Sequence, residues 1–337
     1  MSQTVTVSTE ALHNLATSIL IAHDTAEANA IKVADALVAA EVDGQKGHGL
    51  SRLASYSAQA ASGKVNGHAA PHAEQVGSAA WRINANSGFA FPACALAMEK
   101  LEQTTAKTGI AMAAIHNSHH FGQAGYHVEK LAEKGLVGIA FGNSPKAIAP
   151  WGGKSGLFGT NPIAFAAPRQ NHPPLVIDLS LSKVARGKVM VAAKNGEPIP
   201  EGWALDTEGR PTTDAKAALD GTMVPMGDAK GAALVLMVEI LAAALTSSHF
   251  GFEASSFFTA DGPPPGVGQF LIAIDPSPVS GNNFGDRLEF LIDAIVAQEG
   301  TRLPGSAKLR AREAAAKNGV QVSLDLYEEL QALKQTA

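Results

Sequence analysis

Apolar positions recur with a helical period at both ends of the chain. After Ser8, a residue type that often caps helices, four apolar residues fall on one face: Leu12, Leu15, Ala16 and Ile19. Asp24 with Glu27 three residues later predicts a capped second helix to about Ala40. A glycine-punctuated turn at 43–49 precedes a third predicted helix at about 50–61. Further helices are predicted at about 284–298, 306–318 and 323–334.

The middle of the chain has a different pattern. Short apolar runs bounded by turn residues predict buried strands at 109–115, 135–141, 175–178 and, after a proline-rich loop at 256–270, at 269–275. A helix is predicted between the first two strands, at 124–134. The most apolar segment, Gly231–Leu245, is shorter than the ~20 residues of a bilayer span and contains Glu239, which favours a buried core helix.

This order of elements predicts an α/β (α+β) protein with two domains. Residues 116–284 are expected to form a sheet domain. Residues 1–115 together with 285–337 are expected to form a helix-rich domain built from both chain ends.

Composition narrows the class of protein. Charged residues make up 17% of the 337, the net charge is -5, and no basic run occurs, so nothing indicates a nucleic-acid partner. The N-terminal residues lack the basic and apolar segments of a signal peptide, and no membrane partner is expected. The one cysteine, Cys94, excludes an intramolecular disulfide. We therefore expect a cytoplasmic protein.

Several common catalytic motifs are missing. No G-x-G-x-x-G follows a predicted strand, so the usual dinucleotide fingerprint fails. The segment Gly152–Ser155 resembles the end of a phosphate-binding loop, but Ile148 stands where that motif requires its first glycine. HExxH, CxxC and G-x-S-x-G do not occur either.

The histidines offer two kinds of chemistry. Four of them lie within 12 residues, at His116, His119, His120 and His127, and imidazoles can bind zinc or iron. No carboxylate stands near them at ligand spacing, so we predict no metal site and keep a metal-dependent hydrolase only as a remote alternative. His48 and Arg52 are four residues apart, which places a proton carrier and a carboxylate-binding group on one helix face. A solvated surface pair is the other interpretation of these two residues.

Six ordered segments together resemble one family, the type-2 malate/L-lactate dehydrogenases, which includes sulfolactate and ureidoglycolate dehydrogenases and the Δ1-piperideine-2-carboxylate/Δ1-pyrroline-2-carboxylate reductases. The segments are GHGLSRLASY (47–56), NSHHFGQAGYH (117–127), GTNPIAFAAP (159–168), VIDLS (176–180), GWALDTEGRPTTD (202–214) and PMGDAKG (225–231). The resemblance implies an NAD(P)-binding fold that is not a Rossmann fold, with a largely antiparallel mixed sheet, and a homodimer.

The resemblance also implies roles for individual residues. His48 is the expected proton donor and Arg52 the expected carboxylate clamp, while His120 and Thr160 match substrate-contacting positions. Because some members use the histidine at the position of His120 as the catalytic acid/base, both histidines remain candidates. The positions that match cofactor contacts are Ser144, Asp178, Leu179, Ser180 and Lys230.

Three residues depart from the family pattern. Gly47 replaces a serine that many members have before the catalytic histidine, and Lys188 replaces the aspartate of a Ser-His-Asp relay in some imine reductases. Asp228 replaces a glycine in PMGDAKG, and aspartate tolerates a left-handed backbone better than most residues. Because the variants at Gly47 and Asp228 depart from the hydroxy-acid pattern, we expect NADPH- or NADH-dependent reduction of a cyclic ketimine 2-carboxylate to L-proline or L-pipecolate. A 2-hydroxy-acid dehydrogenase is the alternative.

Overall fold

The structure is a computed structural model that describes residues 3–335. The helices are α1 (Thr9–Ala22), α2 (Glu27–Val42), α3 (Leu53–Ala61), α4 (Ala90–Thr108), α5 (Ala124–Glu133), α6 (Arg186–Asn195), α7 (Ala215–Asp220), α8 (Asp228–Glu239), α9 (Pro276–Ser280), α10 (Phe284–Val296), α11 (Ser306–Asn318) and α12 (Leu324–Gln335). The strands are β1 (Thr4–Val7), β2 (His72–Gly77), β3 (Ala80–Asn84), β4 (Ile110–Ser118), β5 (Val137–Gly142), β6 (Ile163–Ala167), β7 (Leu175–Leu179), β8 (Ala204–Leu205), β9 (Pro211–Thr212), β10 (Thr222–Met223), β11 (Val267–Ile274) and β12 (Val320–Ser323).

A seven-stranded sheet forms the centre of the molecule, in the order β2-β3-β4-β11-β5-β6-β7. Only β3 and β4 pair in parallel, and every other neighbouring pair is antiparallel. Alternate residues of the strands bury against α4 and α5 on one face of the sheet. The opposite face packs against α8 and the segments around α6. The mixed, largely antiparallel sheet confirms the fold class expected from the sequence and explains why no Rossmann fingerprint is needed.

The two chain ends meet in a separate hydrophobic core. β1 pairs antiparallel with β12, and a cluster of fully buried residues joins α1, α2 and α3 to the C-terminal segment, with Leu12, Leu37, Tyr56, Val322 and Leu330 among its members. Strands β2, β3 and most of β4 lie before residue 116, yet they belong to the central sheet. A division of the chain at 115/116 therefore passes through β4.

Most of the predicted elements occur within a few residues of their expected places, but the starts of the second and third helices differ in detail. Ser8 caps α1 as expected, through a hydrogen bond from Ala11 N to its Oγ. The capping box expected at Asp24 is wrong: Asp24 has a left-handed backbone with φ of 58°, and α2 starts after Ala26, which has no side-chain acceptor for a cap. The third helix begins with two 3-10 turns over residues 46–52 before α3 proper.

The apolar segment 231–245 is buried on one side only. α8 continues into a π-helical turn at Ile240–Ala244, and Val235, Val238 and Ala242 are fully buried. Its outer side exposes large apolar side chains, so the expectation of a buried core helix is wrong for that face: Leu234, Leu236, Met237, Ile240 and Leu245. Among residues 3–335, no helix has the length and apolar character needed to cross a bilayer.

Candidate active site

The register of the sheet brings distant parts of the sequence to one edge. β4 and β5 run in the same direction on either side of β11, so the segments that follow Ser118 and Gly142 leave the sheet at the same end. β6 starts there, since Ile163 pairs with Phe141, and β7 ends there, since Leu179 pairs with Ile163. The residues expected to contact substrate or cofactor near 120, 144, 160 and 180 therefore share one edge of the sheet.

His48 reaches this edge from the helical unit. Its 3-10 turn is held against α2 because Leu50 N donates to Glu41 Oε2 at 3.1 Å. Gly49 permits this contact, since a Cβ atom there would lie 2.4 Å from the same oxygen. The half-buried His48 ring stacks on His120, with centroids 5.3 Å apart and an interplanar angle of 24°. The structure thus brings together the two histidines that the sequence left as rival proton donors.

Arg52 lies beside this histidine pair. Its Nε donates to Gly47 O at 2.7 Å, and its guanidinium carbon lies 4.4 Å from the centre of the Phe258 ring. One terminal nitrogen, Nη1, is buried and has no hydrogen-bond partner within residues 3–335. A guanidinium that is fixed on one side and unsatisfied on the other is suited to bind a carboxylate.

Burial and the nearby positive charge keep the histidines neutral. Burial first, and Arg52 second, lower the pKa of His48 to about 4. The pKa of the buried His120 falls well below its ordinary value for the same reasons. Lys188 does not form a relay with either histidine: it is exposed on α6, and His48 Nδ1 has no hydrogen-bond partner in the described chain. His48 is therefore tuned by burial and Arg52, not by an aspartate.

The proline-rich loop forms one wall of the site. The Phe257 ring packs on His120, with centroids 5.1 Å apart, and Phe258 covers Arg52. Lys64 anchors this loop, since its ammonium donates to the carbonyl oxygens of Ser256, Thr259 and Asp261 at 2.7, 2.9 and 2.8 Å. All three ammonium hydrogens are used, so Lys64 fixes the wall and cannot serve as a second anion-binding group.

A ladder of hydrogen bonds joins the segments expected to bind the cofactor. Thr160 N donates to Ser144 Oγ at 3.1 Å, and Leu181 N donates to Thr160 O at 2.8 Å. Met226 N then donates to Leu181 O at 2.8 Å, which places the start of α8 next to the end of β7. Gly159 is required in this ladder, because a Cβ atom there would lie 2.3 Å from Ser144 Oγ.

A buried carboxylate, Glu239, ties these loops to α8. It accepts hydrogen bonds from Asn161 Nδ2 at 2.7 Å, from Gly251 N at 2.7 Å and, more weakly, from Asn143 Nδ2 at 3.4 Å. Burial raises the pKa of Glu239, although these donors act in the opposite direction. One side chain thereby orders the segments that carry Ser144 and Thr160.

Most of the cofactor-matching residues have a chemistry that suits a dinucleotide. The Ser144 and Ser180 side chains offer hydroxyl groups, and Lys230 is an exposed lysine in the first turn of α8. Leu179 is 45% exposed beside them, an apolar surface open to a ring. These residues fit hydroxyl-rich ribose groups, phosphate and an apolar ring face, so they could hold NAD(P).

Asp178 and Asp228 have backbone roles. Asp178 Oδ2 accepts the Gly125 N–H at 2.7 Å and so caps the first turn of α5, while burial raises the pKa of this carboxyl. One oxygen of Asp178 therefore already binds the backbone of α5. Asp228 has a φ of 55°, next to Gly227 at 67°, so aspartate does adopt the left-handed turn that glycine would make.

Several site residues were missed from the sequence. Tyr56 could have been found from the sequence, because it follows His48 and Arg52 at the same spacing of four residues. Phe257, Phe258 and Lys64 could not be found in this way, since each contacts residues far away in the sequence, 192 positions away for Lys64 and Ser256. Within the described residues, no three His, Cys, Asp or Glu side chains are grouped as a metal site would require.

The chain is similar to known proteins over most of its length. The malate/L-lactate dehydrogenase family matches residues 7–331. The chain is 58% identical over 275 residues to a (2R)-3-sulfolactate dehydrogenase (NADP(+)) from Chromohalobacter salexigens, covering 82% of each chain. It is 42% identical to a Δ1-pyrroline-2-carboxylate/Δ1-piperideine-2-carboxylate reductase from Pseudomonas putida, covering 96% of this chain and 94% of that protein.

Two solved structures superpose closely on this chain. The crystal structure of Δ1-piperideine-2-carboxylate reductase from Pseudomonas syringae superposes with a TM-score of 0.92 at 40% identity, covering 98% of this chain and 99% of that one. A sulfolactate dehydrogenase from Methanocaldococcus jannaschii superposes with a TM-score of 0.90 at 29% identity. The resemblance expected from the six sequence segments is confirmed: this chain belongs to the malate/L-lactate dehydrogenase family and is an NAD(P)-dependent oxidoreductase.

Proposed function

We propose that the enzyme reduces a C=O or C=N bond whose carbon also bears a carboxylate. The observation that carries this proposal is the stacked pair of His48 and His120 beside the partly unsatisfied guanidinium of Arg52. A proton carrier next to a carboxylate-binding group is what such a reduction requires of the protein. When bound, the nicotinamide supplies the hydride.

Each residue then has a defined task. Arg52 binds the substrate carboxylate through Nη1, while Gly47 O and the Phe258 ring keep its side chain in place. Burial is the larger cause of the lowered pKa of His48 and the Arg52 charge is the smaller one; the bound carboxylate offsets the Arg52 charge, so the substrate itself favours protonation of this histidine. His48 can then give a proton to the substrate oxygen or nitrogen as hydride reaches the adjacent carbon.

For the substrate, the geometry favours a cyclic ketimine 2-carboxylate, pyrroline-2-carboxylate or piperideine-2-carboxylate, with L-proline or L-pipecolate as product. The Arg52 guanidinium packs on Phe258, and the Phe257 and Phe258 faces suit the methylene groups of a small ring. Relatives at 40–42% identity that cover 96–98% of the chain carry names with this activity.

A second candidate is a 2-hydroxy-acid dehydrogenase acting on 3-sulfolactate. It is favoured by the relative at 58% identity, a higher value than any of the named imine reductases reach. This substrate carries a sulfonate besides the carboxylate, so the site must bind a second anionic group besides the one at Arg52. The two candidates therefore differ in the number of anions that the site must bind.

One assay separates the two candidates. Absorbance of the reduced nicotinamide is followed with both cyclic imines, with pyruvate and oxaloacetate, and with 3-sulfolactate in the oxidative direction, each with NADPH or NADH and their oxidised forms. A kcat/KM for an imine that exceeds all others supports the ketimine reductase. A higher value for 3-sulfolactate establishes the second candidate, and the absence of redox turnover with every compound contradicts both.

NADPH is the cofactor we propose, and NADH is the alternative. The relative at 58% identity is named for NADP(+). Lys183 is exposed just after Ser182 and can meet a 2′-phosphate, whereas Arg186 donates to the carbonyl oxygens of Lys146 and Leu219 and is already engaged. Cys94 is buried as a free thiol, and we expect the enzyme to work in the cytoplasm, where thiols stay reduced.

We also propose that the enzyme is a homodimer. The outer face of α8 and its π-helical extension exposes five large apolar side chains, from Leu234 to Leu245, with exposed fractions of 39–55%. Contiguous apolar patches of this kind are uncommon on monomeric proteins and typically mark an interface. A second copy of the chain is the occupant that the family resemblance implies.

A further inference from the structure

We infer that Tyr56 is a positioning residue that fixes His120 in one tautomer, with its proton on Nε2, so that His120 offers a hydrogen-bond donor to the substrate while His48 delivers the proton. This inference rests on the proposed function for its catalytic consequence. The tautomer of His120 does not depend on the proposed function.

The first step is the contact between the two side chains. The Tyr56 hydroxyl oxygen lies 2.5 Å from His120 Nδ1, and this is the only hydrogen bond that the hydroxyl makes in the described chain. Tyr56 is fully buried, and its ring packs against Phe89 at 5.5 Å and against the edge of His119 at 5.3 Å. Aromatic packing thus holds the hydroxyl in place toward Nδ1.

The second step is the direction of the hydrogen bond. Burial raises the pKa of Tyr56 far above neutral, so the phenol keeps its proton at working pH. A protonated phenol whose one partner is an imidazole nitrogen donates to that nitrogen. His120 Nδ1 is then the acceptor, and the proton of the neutral ring must lie on Nε2.

The third step concerns the other nitrogen of His120. Nε2 has no hydrogen-bond partner in residues 3–335, and it is not among the nitrogen atoms sealed from solvent. The Nε2 atom of His119, by contrast, already makes a hydrogen bond with Gln59 Oε1, at 3.0 Å. Of these two neighbouring histidines, His120 is the one with a ring N–H free for a ligand.

The tautomer has a chemical consequence. A neutral imidazole that gives up its Nε2 proton becomes an anion unless Nδ1 gains a proton at the same time, which would leave a buried tyrosinate at Tyr56. Both species are costly in a buried site. His120 therefore polarises the substrate by donating a hydrogen bond, and net proton delivery falls to the less buried His48, whose protonation the substrate carboxylate bound at Arg52 favours.

The test is 15N–1H long-range NMR on the full chain labelled with 15N at histidine. The His120 signals are assigned as those absent from His120→Gln. We expect the wild-type His120 spectrum to show a protonated Nε2 and an unprotonated Nδ1.

In Tyr56→Phe, which keeps the ring packing, we expect loss of that single tautomer and a fall in kcat/KM of about tenfold, the scale of one neutral hydrogen bond. Tyr126→Phe, which removes a hydroxyl bonded to Lys130 instead, is the matched control and should change neither.

Two results would overturn the inference. A wild-type His120 with its proton on Nδ1 contradicts it directly, even if Tyr56→Phe does not fold. An unchanged tautomer and unchanged kcat/KM in a folded Tyr56→Phe contradict the role of the hydroxyl. Because the spectra need no substrate, a protonated Nε2 without imine or hydroxy-acid turnover would leave the tautomer established and contradict the proposed function alone.

Discussion

At the scale of residues, a spacing of four positions in the sequence identifies side chains that meet in the candidate site. His48 and Arg52 were predicted to face the same side because they stand four residues apart, and the same spacing extends to Tyr56. The 3-10 geometry of residues 46–52 was not predictable, since it depends on the contact between Leu50 and Glu41 from another helix. The Phe258 contact with Arg52 was equally hidden, because only the folded chain brings the two residues together.

Arg52→Lys tests the carboxylate clamp. Lysine keeps the positive charge but loses the planar group that is held by Gly47 O on one side and stacked on Phe258. We expect kcat/KM to fall by an amount equivalent to about 1.5–3 kcal/mol, the scale of a charged hydrogen bond. Steady-state kinetics with the substrate and with its amide provide the measurement. Equal turnover of acid and amide by the wild type would mean that Arg52 does not bind a carboxylate.

The elements of the site are joined by buried polar groups that the sequence pattern does not show. Glu239 was visible only as a charge inside an apolar segment, and its position in the sequence excluded a membrane span without indicating a partner. In the structure its carboxylate joins α8 to the loop before β6 and to the loop before β11, and more weakly to the loop after β5. Apolar runs predicted the helix and β5, but they predicted neither β6 nor the interactions that align these elements.

Glu239→Gln tests this link between elements. The amide replaces one of two acceptor oxygens with a donor, so the hydrogen bond from Gly251 N or the one from Asn161 is lost while side-chain volume stays nearly constant. We expect a loss of about 1–3 kcal/mol in the free energy of unfolding, together with a raised KM for the nicotinamide cofactor. Urea unfolding and cofactor titration give the two values. Glu253→Gln, a change on the neighbouring loop, is the control, and identical effects from both would contradict a specific role for Glu239.

α5 carries an acid-sensitive group away from the proposed chemistry. His127 is buried and stacks on Phe121 at an interplanar angle of 2°, and burial lowers its pKa to about 4. Between its ordinary pKa of 6.5 and about 4, the unfolded chain binds a proton that the folded chain does not. The free energy of unfolding should therefore fall as pH falls through this window.

His127→Phe should reduce that acid sensitivity. Between pH 7 and 5 the wild type is expected to lose about 2 kcal/mol through this one residue, a loss that phenylalanine cannot undergo. Urea unfolding at both pH values measures it at constant protein concentration. The exposed His72 on β2 provides the control in His72→Phe. If His127→Phe loses as much stability as the wild type between pH 7 and 5, burial does not lower the pKa of His127 in the folded protein.

At the scale of the whole molecule, the sheet architecture decides where the site lies. The sequence resemblance predicted a largely antiparallel sheet, and the register then places four separate segments at one edge. Strands β2 and β3 were not predicted, because their short, partly exposed segments lack a continuous apolar run. The boundary between the helix-rich part and the sheet-containing part of the chain could not be located from periodicity either. The reason is that β2, β3 and most of β4 already belong to the sheet before residue 116.

The proposed dimer gives a test on the same scale. A double variant, Leu236→Glu and Ile240→Glu, places charges on the exposed face of α8 while the buried face with Val235 and Val238 is unchanged. We expect the wild type to have the mass of two chains by light scattering, and the variant to have the mass of one. Phe290→Glu and Leu291→Glu change another exposed apolar pair, on α10, and serve as the control. A monomeric wild type would contradict the homodimer.

The most direct test of the central claim is the pH dependence of His48→Ala with pyrroline-2-carboxylate. His48 is expected to deliver the proton, so its loss should lower kcat by ~10²–10⁴-fold at neutral pH. As pH falls, a cyclic imine arrives already protonated and no longer needs the enzyme's acid, so the defect should shrink, whereas with a ketone such as pyruvate it should persist. His120→Ala should mainly raise KM. A His48→Ala defect with the imine that stays constant across pH, or one smaller than that of His120→Ala in kcat, would contradict His48 as the proton donor.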